Sequence, residues 1–124
     1  MTKRRTFSPA EVAYLEEGRR LGRLATADSE GRPQVTPVGM WSYNSDTGTI
    51  DVTGRGFETT RKFRNVASNP CAAFVVDDMA SVDPWRPRAV TVEGTAEAIP
   101  AGDGGGAMIR LTPDRIVSWG LAPD

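Results

Sequence analysis

Val90-Thr91-Val92-Glu93-Gly94-Thr95-Ala96-Glu97 alternates apolar or small side chains with polar ones along its whole length. Successive side chains of a strand point to opposite faces, so this period of two predicts a strand with one face turned to a core. Just upstream, Cys71-Ala72-Ala73-Phe74-Val75-Val76 is an unbroken apolar run, the pattern of a strand buried on both faces. Residues 77–87, which contain Pro84 and Pro87, read as the loop between them. Downstream, Ala101-Gly102-Asp103-Gly104-Gly105-Gly106 has no structural preference. Residues 108–111 and 115–119 then read as a final pair of strands around Thr112-Pro113-Asp114.

Towards the N-terminus the first element is a helix. Ser8-Pro9-Ala10-Glu11 sets Ser at the N-cap, Pro at the first helical position and Glu three residues after the cap, a capping box. Phe7 and Val12 fall where a hydrophobic staple forms, and Gly18 ends the helix begun at Pro9. Leu24-Ala25-Thr26-Ala27-Asp28 then reads as a strand and Ser29-Glu30-Gly31 as a turn. Residues 34–43 read as the hairpin partner, Asn44-Ser45-Asp46-Thr47-Gly48 as a second turn, and Thr49-Ile50-Asp51-Val52-Thr53 as a third strand. Together these predict a β-meander. Gly54-Arg55-Gly56 leads into a helix over residues 59–68, which Asn69-Pro70 terminates. Six or seven mostly antiparallel strands with two short flanking helices predict a mainly β fold, a small barrel that closes its own edges.

With 124 residues, the chain is expected to form one domain over 1–124, with residues 1–6 as a flexible tail. Its 39% hydrophobic and 25% charged residues are a globular composition, and no apolar run approaches the ~20 residues that span a bilayer. Fifteen basic against 16 acidic side chains leave a net charge of −1, so no global positive field points to nucleic acid or to a membrane surface. Lys3-Arg4-Arg5 has no apolar stretch behind it, and the single Cys71 can form no internal disulfide; both fit a cytoplasmic location. In a buried strand Cys71 is expected to be an inert small hydrophobe. There is no histidine. That removes triads with a histidine base, the usual zinc sites and histidine-ligated haem, and moves any redox chemistry onto a bound cofactor. Asp77-Asp78 reads as a solvated strand end, and no metal site is expected.

Arg55-Gly56-Phe57-Glu58-Thr59-Thr60-Arg61-Lys62-Phe63-Arg64 concentrates positive charge where a strand gives way to a helix. Helix N-termini present unpaired N–H groups and the positive end of a dipole, and the Thr59 and Thr60 hydroxyls with the Arg61 and Lys62 charges would suit a phosphate. The same residues also suit a capped helix with a solvated basic face. Composition and electrostatics leave both readings open.

Thr60-Arg61-Lys62-Phe63-Arg64-Asn65-Val66-Ala67-Ser68-Asn69-Pro70 resembles the T-x-K-x-R-N-(L/V)-x-x-N-P stretch of the pyridoxamine 5′-phosphate oxidase-like split-barrel superfamily. Gly31-Arg32-Pro33-Gln34-Val35-Thr36-Pro37-Val38 is similar to its G-x-P-x-V-x-P-V strand, and Pro84 with the residues up to Glu97 to its strand ending in E-G-x-A. Arg115-Ile116-Val117-Ser118-Trp119-Gly120 resembles the I-x-S-W-G ending of the branch that uses coenzyme F420. The resemblance runs from about residue 18 to residue 120.

It implies a split β-barrel homodimer with a flavin or deazaflavin in a groove between protomers. Thr60 and Lys62 would hold the cofactor phosphate, with Arg55 and Arg61 as further phosphate contacts. Pro37, Val38 and Thr53 would flank the ring and ribityl chain, and Trp85, Arg86 and Arg88 would reach the cofactor of the other protomer. The chain departs from pyridoxamine phosphate oxidases proper in ending without a basic substrate segment, and in the glycine-rich stretch at 102–106. The resulting expectation is an oxidoreductase that passes hydride from reduced F420 to a small organic acceptor. The alternatives are an FMN-dependent oxidase or flavin reductase, and a non-catalytic carrier of either cofactor. No catalytic side chain is assigned, though the Tyr43 hydroxyl is a candidate proton donor. Trp41, Trp85 and Trp119 are read as packing residues, Trp119 at a dimer interface.

Overall fold

The computed structural model describes residues 4–102 and 104–122. Helix α1 (Pro9–Glu17) has the expected limits, with Ser8 accepting from the Glu11 N–H and the Glu11 side chain accepting from the Ser8 N–H. Seven strands follow: β1 (Gly22–Ala27), β2 (Pro33–Val38), β3 (Trp41–Asn44), β4 (Thr49–Val52), β5 (Cys71–Val82), β6 (Trp85–Ile99) and β7 (Met108–Trp119). A single turn of 3-10 helix (Phe57–Thr59) and helix α2 (Arg61–Ser68) separate β4 from β5. The strands form one sheet in the order β2-β1-β5-β6-β7-β4-β3, antiparallel at every step.

The expected meander is corrected by that order. Residues 34–43 are two strands, not one, and β2 and β3 lie at opposite edges of the sheet. Only Gly39 and Met40 connect them. Two linking residues can span roughly 11 Å at most, so the two edges must curl towards each other, which is the closure of the barrel. Pro33 and Pro37 fit this placement, because β2 pairs only with β1 and its other side needs no donors. At the join, Thr53 donates its backbone N–H to the Met40 carbonyl at 2.8 Å.

Two other segments are longer than their composition suggests. Residues 77–87 are not a loop: β5 and β6 continue through them as a two-stranded arm. Pairing with β1 stops at Val76 and pairing with β7 starts at Ala89, so the arm projects beyond the sheet. Residues 108–119 are a single strand. A bulge at Glu93 and Gly94, opposite Pro113, absorbs the turn-like Thr112-Pro113-Asp114. A Cβ on Gly94 would sit 2.0 Å from the Thr112 carbonyl oxygen, which only glycine avoids. Cys71 is exposed at the start of β5 rather than buried.

Inward-facing Leu24, Ile50, Val52, Phe74, Val76, Val90, Val92, Ile109 and Leu111 form the core, with Phe63 and Val66 of α2 packed on it. Trp41 packs on the Phe74 ring with centroids 5.2 Å apart and donates its indole N–H to the Arg20 carbonyl at 2.8 Å, a packing role as expected. Buried polar groups fasten elements far apart in sequence. Asp51 on β4 takes both arms of Arg110 on β7 at 3.1 Å and also accepts from Asn44 and Thr49. Asn65 of α2 donates to Thr26 on β1 at 3.1 Å, and Asn69 donates to the Asp28 carbonyl at 3.0 Å.

Of the tail expected over residues 1–6, only residues 4–6 are described. Met1, Thr2 and Lys3 lie outside the described residues, but the Arg4 carbonyl accepts from the Ile116 N–H on β7 at 2.9 Å. The Arg4 guanidinium grips the buried Glu11 carboxylate at 2.5 and 2.6 Å, and the Ser118 hydroxyl donates to the same carboxylate. Burial alone would raise the Glu11 pKa. The Arg4, Ser118 and Ser8 hydrogen bonds outweigh it and bring the pKa down from 4.5 to about 2.

Gly94→Ala is expected to lower stability by about 3 kcal/mol, because a backbone carbonyl cannot swing aside; thermal unfolding followed by circular dichroism checks it. Glu11 sets a pH dependence of known sign. Its carboxylate stabilises the fold fully above the unfolded-state pKa near 4.5, and that stabilisation is lost as pH falls towards 2. Denaturant midpoints measured between pH 6 and pH 2.5 should therefore fall less steeply in Glu11→Gln than in the parent.

Candidate functional site

The crossover that closes the barrel also builds a cavity. Pro37, Val38, Gly39 and Met40 form one wall, and Thr53, Gly54 and Arg55 beyond the end of β4 form the second. Phe57, Thr60 and Lys62, at the start of α2, form the third, around a volume of about 210 Å³. Three chain segments meet here, and the six expected residues Pro37, Val38, Thr53, Arg55, Thr60 and Lys62 all line the space. Val38 and Phe57 are buried and make its floor, while Arg55 is exposed at its mouth.

The local backbone explains the shape. Gly56 adopts a left-handed conformation with φ 53°, which starts the 3-10 turn and points the chain into α2. A Cβ on Gly54 would lie 3.1 Å from the Phe57 ring, so the close approach of β4's end to that ring favours glycine. Thr60 caps α2: its hydroxyl oxygen accepts from the Phe63 N–H at 3.3 Å, and its proton goes to the Phe57 carbonyl at 2.6 Å. The Thr59 hydroxyl donates to the Gly56 carbonyl at 2.8 Å. Both threonine protons are thus committed to the backbone, so the capped-helix reading holds for the hydroxyls. The groups left for an anion are the first-turn N–H groups of Arg61 and Lys62, the Lys62 ammonium and the Arg55 guanidinium. Lys62 Nζ lies 5.6 Å from the centre of the Phe57 ring, and no carboxylate pairs with Lys62 or Arg55 among the described residues. A dry floor, unpaired cations and free N–H groups fit a phosphate-bearing cofactor.

Other expected site residues lie elsewhere. Arg61 is exposed and does not line the cavity. Trp85 and Arg86 stand exposed near the tip of the arm, with Trp85 72% accessible. Arg88, at the root of the arm, is held by Asp78 through Nε at 2.8 Å and Nη2 at 2.6 Å. Asp78 is therefore not a solvated strand end. Besides Arg88 it accepts from Arg20 Nε at 3.0 Å and from the Tyr14 hydroxyl at 3.0 Å, which holds its carboxyl well below the usual carboxylate range. Burial, and then this hydrogen bond, push the Tyr14 hydroxyl up to about 12. Tyr43 packs edge-on against Phe7 at 5.4 Å and does not line the cavity, so its hydroxyl is no proton donor there. No group of side chains that could hold a metal occurs among the described residues.

The motif residues outside the cavity have structural tasks. Asn65 and Asn69 pin α2 to β1, and Ser118 completes the Glu11 clasp. Gly120, at φ 75°, lies where a Cβ would meet the Pro87 carbonyl oxygen at 2.1 Å. Gly39 and Met40 belong to the 37–40 stretch already expected beside the cofactor ring, whereas sequence reasoning missed Gly54 and Phe57 as lining residues. The glycines beyond β4's end were the available signal, since glycine marks sharp bends and close approaches.

Residues 8–123 match the family described as pyridoxamine 5′-phosphate oxidase. The chain is 44% identical over 124 residues to the 5a,11a-dehydrotetracycline/5a,11a-dehydrooxytetracycline reductase of Streptomyces rimosus, which covers 95% of this chain and 86% of that protein. A solved F420 reductase superposes with a TM-score of 0.65 at 20% identity, covering 89% of this chain and 98% of that one. A FAD-binding protein from Mesorhizobium loti superposes with a TM-score of 0.66 at 20% identity, covering 92% and 94%. At such identities the two structures show a shared fold and no more. The family match over nearly the whole chain, together with the Streptomyces relative, places this protein in the pyridoxamine 5′-phosphate oxidase family of split barrels.

Proposed function

We propose that the chain is an oxidoreductase that binds coenzyme F420 in the cavity between the barrel crossover and α2 and uses it to reduce a small polycyclic acceptor. The observation that carries this is the convergence of Pro37, Val38, Thr53, Arg55, Thr60 and Lys62 on one space with unpaired positive charge at its mouth. The reductase name of the Streptomyces relative supports reduction as the direction of the reaction. Its substrates, named for a 5a,11a carbon–carbon double bond, support a polycyclic acceptor with such a bond.

Bound in its reduced form, the cofactor supplies hydride to an electron-poor carbon of the acceptor. The protein supplies position and dryness: Lys62, Arg55 and the first-turn N–H groups of α2 neutralise the phosphate, and Val38 and Phe57 exclude water beneath it. The balancing proton comes from solvent, as neither tyrosine lines this cavity.

The preference for F420 over FMN rests on the Ser118-Trp119-Gly120 stretch, not on a contact in the cavity. The phosphate cradle itself suits either cofactor. A homodimer belongs to the same proposal. The outer face of the sheet aligns Val35, Ala25 and Ala73 in one cross-strand row, which Glu93 continues, and Val75, Thr91 and Val117 in the next, which Arg23 begins. Val35 is 68% and Trp119 50% exposed, an apolar surface that a second copy would cover.

Parallel titrations of the protein with F420 and with FMN, followed by tryptophan fluorescence, should show tighter binding of F420. Tighter FMN binding would move the protein to the flavoenzyme reading, and binding without turnover of any acceptor would make it a carrier. Lys62→Ala should weaken F420 binding tenfold to a hundredfold, the loss of a charge-assisted hydrogen bond worth ~1.5–3 kcal/mol. An unchanged affinity in folded Lys62→Ala would remove the phosphate assignment. Light scattering at micromolar concentration should find a dimer, and Val35→Glu a monomer; a monomeric parent would contradict a shared groove.

A further inference from the structure

A second concavity, of about 340 Å³, opens between α1 and the residues that follow β7. Its walls are short and apolar: Ala10 and Ala13, one turn apart on α1, face Leu121 across a trough. Its inner end is polar, formed by Tyr14, Glu17 and Arg88. The volume is that of a small-molecule site, and apolar walls with a few convergent polar groups are the usual make-up of one.

The polar end has a donor to spare. Arg88 spends Nε and Nη2 on Asp78, while its Nη1 has no hydrogen-bond partner among the described residues. Glu17 is half-exposed; its carboxylate pairs with Arg20 Nη2 and stands 3.9 Å from Arg88 Nη2. A ligand oxygen bearing negative charge could therefore pair with Arg88 without breaking the Asp78 clamp, and Glu17 would oppose it.

The position ties this trough to the cofactor cavity. Leu21 lies 3.7 Å from where a Cβ on Gly39 would sit, and its neighbour Arg20 bonds Asp78 beside Arg88. The Arg20–Leu21 segment thus runs from beside the crossover to beside Arg88. Its rim is apolar and uncovered, with Leu21 55% and Met40 57% exposed. Exposed apolar side chains between two concavities favour an extended flat ligand lying across them.

We propose that the trough between α1 and Leu121 is the acceptor subsite, holding the far end of a flat, fused-ring molecule with an enolate or phenolate oxygen directed to Arg88. This rests on the proposed reading as a reductase of polycyclic acceptors. It adds the place of the acceptor and the residues that select it: Ala10 and Ala13 by leaving room for a planar ring, Arg88 by charge.

Tetracycline is a suitable probe, because it is a fused tetracycle with ionisable enol oxygens and its own fluorescence. The full-length protein without cofactor should bind it, read as a rise in fluorescence anisotropy. Ala13→Trp, at an exposed helix position, fills the trough and should weaken that binding at least tenfold while leaving F420 affinity as in the parent. Glu17→Gln removes the opposing carboxylate and should tighten tetracycline binding severalfold, an effect opposite in sign to simple damage. No binding of tetracycline by the parent, parent-like binding by a folded Ala13→Trp, or unchanged binding by Glu17→Gln would each overturn the subsite. Loss of the cofactor reading would be seen separately, as failure of the parent to bind F420.

Discussion

The shortest connection in the fold imposes its largest constraint. Gly39 and Met40 join strands that lie at opposite edges of a seven-stranded sheet, so the sheet can exist only if it curls until those edges nearly meet. Such a join is affordable only where no bulk intervenes, and the Thr53 N–H bond to the Met40 carbonyl secures it beside the end of β4. Because the crossover runs over the end of the barrel, it leaves a hollow between itself and the start of α2. Closure of the barrel and creation of this cavity are thus one geometric event.

Polar contacts then lock the curled sheet. No buried side-chain nitrogen or oxygen lacks a partner among the described residues. The partners are mostly distant in sequence: Glu11 with Ser118, Asp51 with Arg110, Asn65 with Thr26, and Asp78 with Arg20 and Tyr14. Each would be costly to leave half-made in a dry interior, so together they specify one arrangement of helices on the sheet as well as stabilising it. Arg4, Arg20, Arg88 and Arg110 are matched with carboxylates, whereas Arg55 and Lys62 face the cavity unmatched. Among the described residues, arginines without a carboxylate partner also occur outside the cavity, Arg61, Arg64 and Arg86 for example, but only Arg55 and Lys62 line it. An unmatched cation over a buried aromatic floor is a standing attraction for an anion.

The family motifs divide along the same line. In the stretch from Thr60 to Pro70, Thr60 and Lys62 face the cavity, while Asn65 and Asn69 hold α2 in place so that its N-terminus stays there. Ser118 and Gly120 do not approach the cavity at all; one fastens α1 and the other lets β7's end pass Pro87. Residues that resemble a family signature therefore include both cavity-facing groups and the fasteners that hold them there.

Local sequence determined what local physics decides. The capping box at Ser8 and Glu11, the alternation from Val90 to Glu97, the glycines before α2 and the absence of histidine act within a few residues or by simple count. They yielded α1, most strands and a mainly β fold, together with the expectation that any redox chemistry rests on a bound cofactor. Pairing partners obey no such rule, because a strand's hydrogen bonds go to whichever segment closure brings alongside. Hence residues 34–43 looked like one strand but fell on two edges, the aspartates and prolines of 77–87 looked like a loop but paired as an arm, and Asp78 looked solvated but became an ion-pair hub. Pro37, Val38, Thr53, Arg55, Thr60 and Lys62 were legible as cavity residues from motif resemblance, whereas Gly54 and Phe57 were not. That Pro37 and Lys62 share one space, that the threonine protons are already spent on the backbone, and that Tyr43 lies outside it were decided only when the sheet curled.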